Sequence, residues 1–545
     1  MRHSVMTAGR HFASLPKVTH PRSIFDRSCA LKTTFNSGYL VPIFVEEVLP
    51  GDTGDMHASL FSRLTTPYVP FMDNSYLDTL WFFVPNRLVW DNWQKFCGER
   101  LKPEDSTDYL VPQLHSGDSG FPLMSVPDYF GLPVNVPHLS VNALPFRALN
   151  LIYNEWIRDE NLQDPLVVKT DDSADSIDLY PLFRRGKRHD YFTSCLPWPQ
   201  KAPGVELPLG SSAPLVGSGK ILPDGNFQFS SVNGTDGSHV YYHYNTSWPA
   251  GSNTSQSIVD DDRKVGAGNS GPALYRSGLK FDNNDLHVDL ASATAVTINS
   301  LRQAVALQQY FEIDARGGTR YTEKLTAHFG VHSPDSRLQR PEYLGGTSTR
   351  ISTIPVQQTS STNDTTPQGN LAAFGVASHD GRLFNRSFVE HGWIIGLVNV
   401  RADLTYQQGI DRSFSRRTVD DFYWPSFAHL GEQSVLYKEI YADGSAQDDQ
   451  VFGYQERYAE YRYKQSKITG KFRSAVDKKD TLDIWHLSQH FETVPALTSD
   501  FIQEKPPFSR VIAVQDEPEF LLDAFFTFRM ARVMPVYSTP GLRRL

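Results

Sequence analysis

The chain has 545 residues, a formal net charge of −9 and an aromatic content of 12%. This aromatic content provides enough apolar surface for a large folded core and excludes a mainly disordered chain. The first residues show no signal-peptide pattern, and no apolar run approaches the roughly 18 residues of a membrane-spanning helix. We therefore expect no membrane insertion.

The cysteines indicate the redox compartment of the protein. The three cysteines, Cys29, Cys97 and Cys195, are scattered and lack the paired spacing of a zinc site or a disulfide framework. We expect them to be buried thiols in a reducing compartment.

Positive charge is concentrated at the two ends of the chain. Residues 1–32 contain six basic residues and one acidic residue, and four arginines but no acidic residue follow Asp523. A basic arm and a basic tail on an acidic body suit contact with a polyanion on one side of the protein, although two solvated termini are the alternative. The candidate polyanion contacts at the ends are Arg2, Arg10, Lys17, Arg543 and Arg544.

Strand patterns dominate the chain. In chain order, the predicted strands are residues 39–49, 75–84, 398–406 and 526–531. The last two alternate between apolar and polar residues with a period of two, as expected of strands with one buried face. Because the strands come from both ends of the chain and long excursions separate them, they favour an antiparallel jelly-roll sandwich with long inserted loops over a row of βαβ units.

Two helices are predicted within the excursions. The second should begin at Ser300, where Ser300 and Gln303 form a capping-box pattern, and should end at Gly317 and Gly318. The first is predicted from five residues at the spacing of one buried helix face: Leu149, Ile152, Tyr153, Trp156 and Ile157.

Residues 204–299 differ from the rest of the chain. They hold 12 of the 37 glycines, with many Ser and Asn, and are predicted to form an exposed insertion of turns and short strands. The predicted organisation is a basic arm over residues 1–32, a shell domain formed by 33–203 and 300–545, and this insertion. An aromatic group within the insertion either packs its base, which we favour, or presents a recognition surface: Tyr241, Tyr242, Tyr244 and Trp248.

Motifs for catalysis are not supported by their context. Residues 266–271 match the dinucleotide fingerprint in form, but they follow a charged run instead of an apolar strand, so a turn is favoured. His189 and Asp190 are adjacent, and neighbours on a strand point to opposite faces, so structural hydrogen bonding is favoured over a catalytic pair. We expect no enzyme activity, no cofactor and no metal.

Two segments combine basic and aromatic residues. Residues 454–473 interleave four tyrosines with six basic residues. Cations neutralise phosphates and aromatic rings stack on unpaired bases, so both segments suit a single nucleic-acid strand. The alternatives are ion pairing and packing between subunits and, for 454–473, one packed helix face. The other segment, 183–190, places four cations in five residues: Arg184, Arg185, Lys187 and Arg188.

Several long segments carry a resemblance to a known family. They include LPFRALNLIYNEWIRDENLQD (144–164), RGKRHDYFTSCLPWPQKA (185–202) and GWIIGLVNVRADLTYQQGID (392–411), together with most of 301–347 and 453–467. These segments resemble the major capsid protein of the Microviridae, which are small bacteriophages with single-stranded DNA, and most closely the gokushovirus branch.

The resemblance implies an eight-stranded jelly-roll subunit. Pentamers of this subunit would assemble in the bacterial cytoplasm into a T=1 icosahedral virion around circular single-stranded DNA. An internal scaffolding protein and a DNA pilot protein would be its partners. Residues 204–299 occupy the place of the gokushovirus protrusion at the threefold axes, where a host surface receptor would be contacted.

On this interpretation the basic residues at both ends and in 183–190 are candidate DNA contacts. The competing interpretation is a jelly-roll protein that binds or cleaves carbohydrate, supported by 9 Trp and 24 Tyr. Cleavage would need a pair of carboxylates with separated pKa values, and the sequence singles out no such pair.

Overall fold

The computed structural model describes residues 21–100, 102–205, 298–360, 362, 364, 367–474 and 481–537, and the backbone of seven short strands between 215 and 288. The chain divides into two compact units, one of Met1–Ala202 with Phe311–Leu545 and one of Pro203–Tyr310. No helix among these residues is long and apolar enough to cross a membrane.

Strands outnumber helices among the described residues. The strands are β1 (Ser23–Asp26), β2 (Cys29–Phe35), β3 (Val41–Val48), β4 (Thr53–Leu64), β5 (Ser75–Pro85), β6 (Gln113–His115), β7 (Ser140–Asn142), β8 (Asp175–Ser176), β9 (Leu215–Val216), β10 (Ile221–Pro223), β11 (Phe227–Ser231), β12 (His239–Tyr244), β13 (Ser257–Asp260), β14 (Leu279–Phe281), β15 (His287–Val288), β16 (Glu342–Gln357), β17 (Leu371–Ser387), β18 (Gly392–Ala402), β19 (Glu432–Leu436), β20 (Val451–Glu456) and β21 (Phe520–Arg532). The α-helices are α1 (Trp93–Phe96), α2 (Val126–Tyr129), α3 (Leu144–Ile152), α4 (Ile298–Gly317), α5 (Tyr321–Phe329), α6 (Tyr437–Ile440), α7 (Ser499–Ile502) and α8 (Phe508–Val511).

One antiparallel sheet of nine strands organises the first unit. Its order is β1-β21-β4-β17-β16-β5-β18-β3, with β2 also paired to β21. Residues 342–351 of β16 pair with β5 and residues 352–357 pair with β17, so β16 joins two halves of the sheet. The chain alternates between these halves as it passes from β2 to β3, β4 and β5, which is the connectivity of a jelly roll.

The mainly β, antiparallel jelly-roll class is therefore confirmed. The count of eight strands is not confirmed, because β1 adds a ninth strand and β16 takes part in both halves.

The core between the two halves follows from strand alternation. Every second residue of β21 is buried, from Phe520 to Met530, while the residues between them face outward. The rings of Phe44, Trp81 and Phe526 lie 5.3–5.7 Å apart between centroids and join the two halves. Predicted strands 39–49, 75–84 and 526–531 are confirmed as β3, β5 and part of β21.

A second apolar layer covers the outer face of β5 and β18. It is formed by α3 and its neighbours, which pack on Phe82, Ile395 and Leu397. Because of this layer, the prediction that 398–406 has one exposed polar face is wrong: Asn399 is 0% exposed and its Nδ2 donates to the Tyr39 carbonyl oxygen at 3.0 Å. The strand also ends at Ala402 and not at residue 406.

Both predicted helices are present. The first is α3, which continues as a π-helical turn over Tyr153–Ile157. The second is α4, which begins at Ile298, two residues before the predicted start, and ends at Gly317 as predicted.

The prediction of three buried thiols is wrong for two of them. Cys29 and Cys97 are exposed and only Cys195 is buried. The reason is position, since Cys29 begins the outer strand β2 and Cys97 follows the short surface helix α1.

Candidate functional site

The basic segment 183–190 is held on both sides by backbone hydrogen bonds. On one side, the Arg185 amide donates to the Gly38 carbonyl oxygen at 2.9 Å. On the other side, the Lys187 amide donates to Ile502 at 2.7 Å and the Glu504 amide donates to the Arg185 carbonyl oxygen at 2.8 Å. The segment is thus an extended strip between two other parts of the chain.

Two of its four cations are directed into the protein. The Arg184 guanidinium lies 3.9 Å from the Tyr39 ring centroid and donates to the Glu504 carbonyl oxygen at 3.1 Å. The Lys187 ammonium donates to Gln489 at 2.9 Å, and burial lowers the pKa of Lys187 to about 8. These contacts hold the segment in place within the subunit.

The other two cations are partly exposed and ion-paired. Arg185 Nη1 lies 2.7 Å from Asp78 Oδ2, and Arg401 Nε lies 2.6 Å from the same oxygen. Arg188 Nη1 lies 3.4 Å from Asp403 Oδ1, and its guanidinium stacks on the Tyr76 ring at 4.5 Å. Burial, with repulsion from Arg185, lowers the pKa of Arg401 to about 10.

These arginines border a cleft of about 510 Å³. Three aromatic rings, of Phe82, Trp156 and Tyr343, form its wall, with centroids 5.5–5.7 Å apart. Of the lining residues that the structure describes, five are basic and none is acidic. The basic residues are Arg185, Lys187, Arg188, His189 and Arg401.

Sequence reasoning found only part of this cleft. The cation run identified 184–188, but Arg401 and Tyr343 arrive from β18 and β16, far along the chain. A signal for the shared carboxylate was present, because Asp78 interrupts the apolar strand β5 and a buried acid needs a partner.

Within the adjacent pair His189 and Asp190, Asp190 has a structural role. Asp190 Oδ1 accepts from the Phe192 amide at 2.9 Å, and its Oδ2 accepts from the Tyr406 hydroxyl at 2.6 Å. His189 is exposed. Among the residues that the structure describes, no three potential metal ligands lie close enough together to hold an ion.

The second basic and aromatic segment, 454–473, is not a helix. It begins within β20, turns at Tyr458, where φ is +61°, and continues as a short 3-10 turn, so the helix-face alternative is wrong. Tyr458 packs on Tyr423 with ring centroids 5.3 Å apart, and the Arg416 guanidinium lies 4.3 Å from the Tyr461 ring centroid. Tyr458 is buried whereas Tyr461 and Tyr463 are exposed, so only part of the tyrosines of this segment lies at the surface.

Other predicted contacts fall outside the described residues: Arg2, Arg10, Lys17, Trp248, Arg543 and Arg544. The group Tyr241, Tyr242 and Tyr244 lies in β12, which pairs with β11 and β13, and only its backbone is described. The roles of all these residues stay predictions.

Comparison with known proteins identifies the class. The family described as capsid protein (F protein) matches residues 13–542. Capsid protein VP1 of Bdellovibrio phage phiMH2K is 46% identical over 539 residues, which cover 97% of each chain. Capsid protein VP1 of Chlamydia phage 1 is 45% identical, covering 98% of each chain, and that of Spiroplasma virus 4 is 35% identical, covering 99% of each. The chain therefore belongs to the F-protein family of bacteriophage capsid proteins, of the Microviridae type that its sequence resembles, and it is a structural subunit of a virion.

Proposed function

We propose that pentamers of this subunit form a closed T=1 icosahedral shell around a circular single-stranded DNA genome. Membership of the capsid protein family along nearly the whole chain is the observation that carries the proposal. The jelly-roll sandwich supports it, since this architecture is common in viral shells. Exposed rings such as Phe414 (81% exposed) and Trp424 (51% exposed) also support it, because assembly would remove them from water.

Expression of the full chain, alone and with the internal scaffolding protein of the same phage, tests assembly. We expect closed particles of uniform diameter by sedimentation and negative-stain microscopy. In virions purified from infected cells, we expect single-stranded DNA that is protected from nuclease. A chain that stays monomeric in both preparations would refute the proposal.

We further propose that residues 204–299 form a surface protrusion at the threefold axes and contact a host receptor. Glycine-rich loops tolerate change and carry binding functions, which supports this role. Replacement of residues 210–285 by a short Gly/Ser linker should leave assembly intact and reduce adsorption to host cells. Failed assembly would assign the insertion to shell closure, and unchanged adsorption would exclude the receptor role. An internal scaffolding protein and a DNA pilot protein complete the proposed partners.

The genome contacts are proposed to be electrostatic. The basic arm and tail supply Arg2, Arg10, Lys17, Arg543 and Arg544, and the partly exposed Arg185 and Arg188 extend the positive surface. Such contacts release counterions and weaken steeply as salt rises. No catalytic role is proposed, and the carbohydrate interpretation is set aside because the capsid family accounts for the chain.

A further inference from the structure

The cleft beside segment 183–190 has the size and the charge of a ligand site. Its volume of about 510 Å³ lies within the range of about 300–1,000 Å³ that is typical of small-molecule sites. Asp78 neutralises at most one of the two guanidinium groups that share it, those of Arg185 and Arg401. In the described part of the chain, Asp78 is the one carboxylate within ion-pair distance of Arg401. A surplus of positive charge therefore faces the cleft.

The three rings of the aromatic wall are held in place by their neighbours, and one of them, Tyr343, is partly exposed to solvent. Trp156 Nε1 donates to the Pro341 carbonyl oxygen at 2.9 Å, and the Arg340 guanidinium lies 4.4 Å from the Trp156 ring centroid. Phe82 is buried behind both rings, whereas Tyr343 is 40% exposed. The Tyr343 ring is thus held at a set position while part of it remains available for stacking.

The cleft continues into a neighbouring one of about 430 Å³. The two share five lining residues, and the second extends along residues 158–163 and 316–320. The basic residues that line the second cleft outnumber its three acidic residues, Asp159, Glu160 and Glu323, and Arg158 and Arg320 pair with Glu160. A single strand with one nucleotide in the first cleft can therefore extend into the second.

We propose that this cleft binds one nucleotide of single-stranded DNA. The base stacks on Tyr343, and the phosphate is bound by Arg188 and Arg401, with the strand continuing into the neighbouring cleft. Aromatic rings that stack on bases beside cations that bind phosphates are the two elements by which proteins hold single strands without reading sequence. The inference rests on the proposed function in one respect, namely that single-stranded DNA is the enclosed polymer.

Binding of two labelled probes to the unassembled full chain tests the proposal. One probe is a ten-residue oligothymidine, and the other is an abasic deoxyribose-phosphate strand of the same length and charge. We expect Tyr343→Leu to weaken oligothymidine binding about tenfold and to leave abasic-strand binding unchanged, because only the base loses its stacking partner. Tyr343→Phe, which keeps the ring, should bind as the wild type does.

Arg188→Gln tests the phosphate contact. It should weaken binding of both probes and reduce the slope of log Kd against log salt by about 1. Tyr68→Leu and Arg382→Gln are matched controls, because both residues are exposed and neither lines the cleft. Thermal unfolding checks that each variant is folded.

Two results would overturn the proposal: oligothymidine binding unaffected by Tyr343→Leu, or equal loss of both probes in that variant. An assembled particle in which a neighbouring subunit fills the cleft would also overturn it. These outcomes are distinct from failure of the proposed function, which would appear as virions without nuclease-protected single-stranded DNA.

Discussion

Arg147 and Asp175 form an ion pair in which both side chains are 0% exposed, with Nε to Oδ2 at 2.8 Å and Nη2 to Oδ1 at 2.9 Å. The Arg147 guanidinium also donates to the carbonyl oxygens of Asp171 and Ser173 at 2.8 and 3.1 Å. Arg147 lies on α3, so the pair fixes residues 171–175 to the layer that covers the sheet. The planar guanidinium suits such bidentate binding.

Arg147→Met should destabilise the unassembled subunit by about 3 kcal/mol, because the buried Asp175 carboxylate loses its bidentate partner and, among the described residues, keeps only Lys169, 3.7 Å away, as a nearby cation. Chemical unfolding of the full chain in its unassembled form measures this loss. The matched control is Arg382→Gln, since the Arg382 to Asp55 pair is 58% and 46% exposed and should contribute less than about 1 kcal/mol. Equal losses in the two variants would show that burial does not set the cost.

Gly396 should not tolerate a side chain. A Cβ at this position would lie 2.6 Å from Cζ3 of Trp81, whose ring is fixed between the two halves of the sheet. We expect Gly396→Ala to cost about 1–3 kcal/mol through overpacking, measured by the same unfolding assay. Gly186→Ala is the control, because its Cβ would approach no atom closer than 4.0 Å. The Gly396→Ala substitution should also be made in a Trp81→Leu background. If Gly396→Ala costs less there than in the wild type, the clash with the Trp81 ring is confirmed as the cause.

The buried Glu504 should make stability depend on pH. Burial raises the pKa of Glu504 to about 7, although nearby Lys187, Arg401 and Arg185 favour its charged form. The folded state therefore holds a proton that the unfolded state releases at lower pH, and this contribution to stability is lost as pH rises from about 4.5 to about 7.

A comparison of the wild type with Glu504→Gln isolates this contribution. Across that pH interval the melting temperature of the wild type should fall relative to that of the variant, which cannot titrate. Above pH 8 the lowered pKa of Lys187 acts in the opposite sense, so stability from that residue rises with pH. If the melting temperatures of the two proteins change by the same amount between pH 4.5 and 7, the assignment to Glu504 is contradicted.

The alternation of apolar and polar residues predicted a strand and its buried face correctly where the other face is exposed to solvent. Residues 526–531 alternate because the odd and even positions of β21 face different surroundings. The same reasoning failed for 398–406, because α3 covers the outer face of β18 and the sequence of a strand carries no record of a layer from another part of the chain. The cation run of the cleft was predicted, and Asp78 carried a signal as an acid within an apolar strand, but sheet pairing is what brings Asp78 and the ring of Tyr343 to the cleft.

The exposure of Cys29 and Cys97 was not predicted either, and it makes their thiols accessible to reagents. Cys29 and Cys97 are exposed, whereas Cys195 is buried, its Sγ donates to the Tyr191 carbonyl oxygen at 3.3 Å, and burial raises its thiol pKa. Because the thiolate is the reactive form, Cys195 should not react with a thiol reagent in the folded subunit. Two thiols per unassembled chain should react under native conditions and three after denaturation. The double variant Cys29→Ser with Cys97→Ser should show none and one, respectively. If a thiol of that variant reacts under native conditions, the region around Cys195 opens in solution. The same assay on closed particles of the two single variants would show whether assembly covers Cys29 or Cys97.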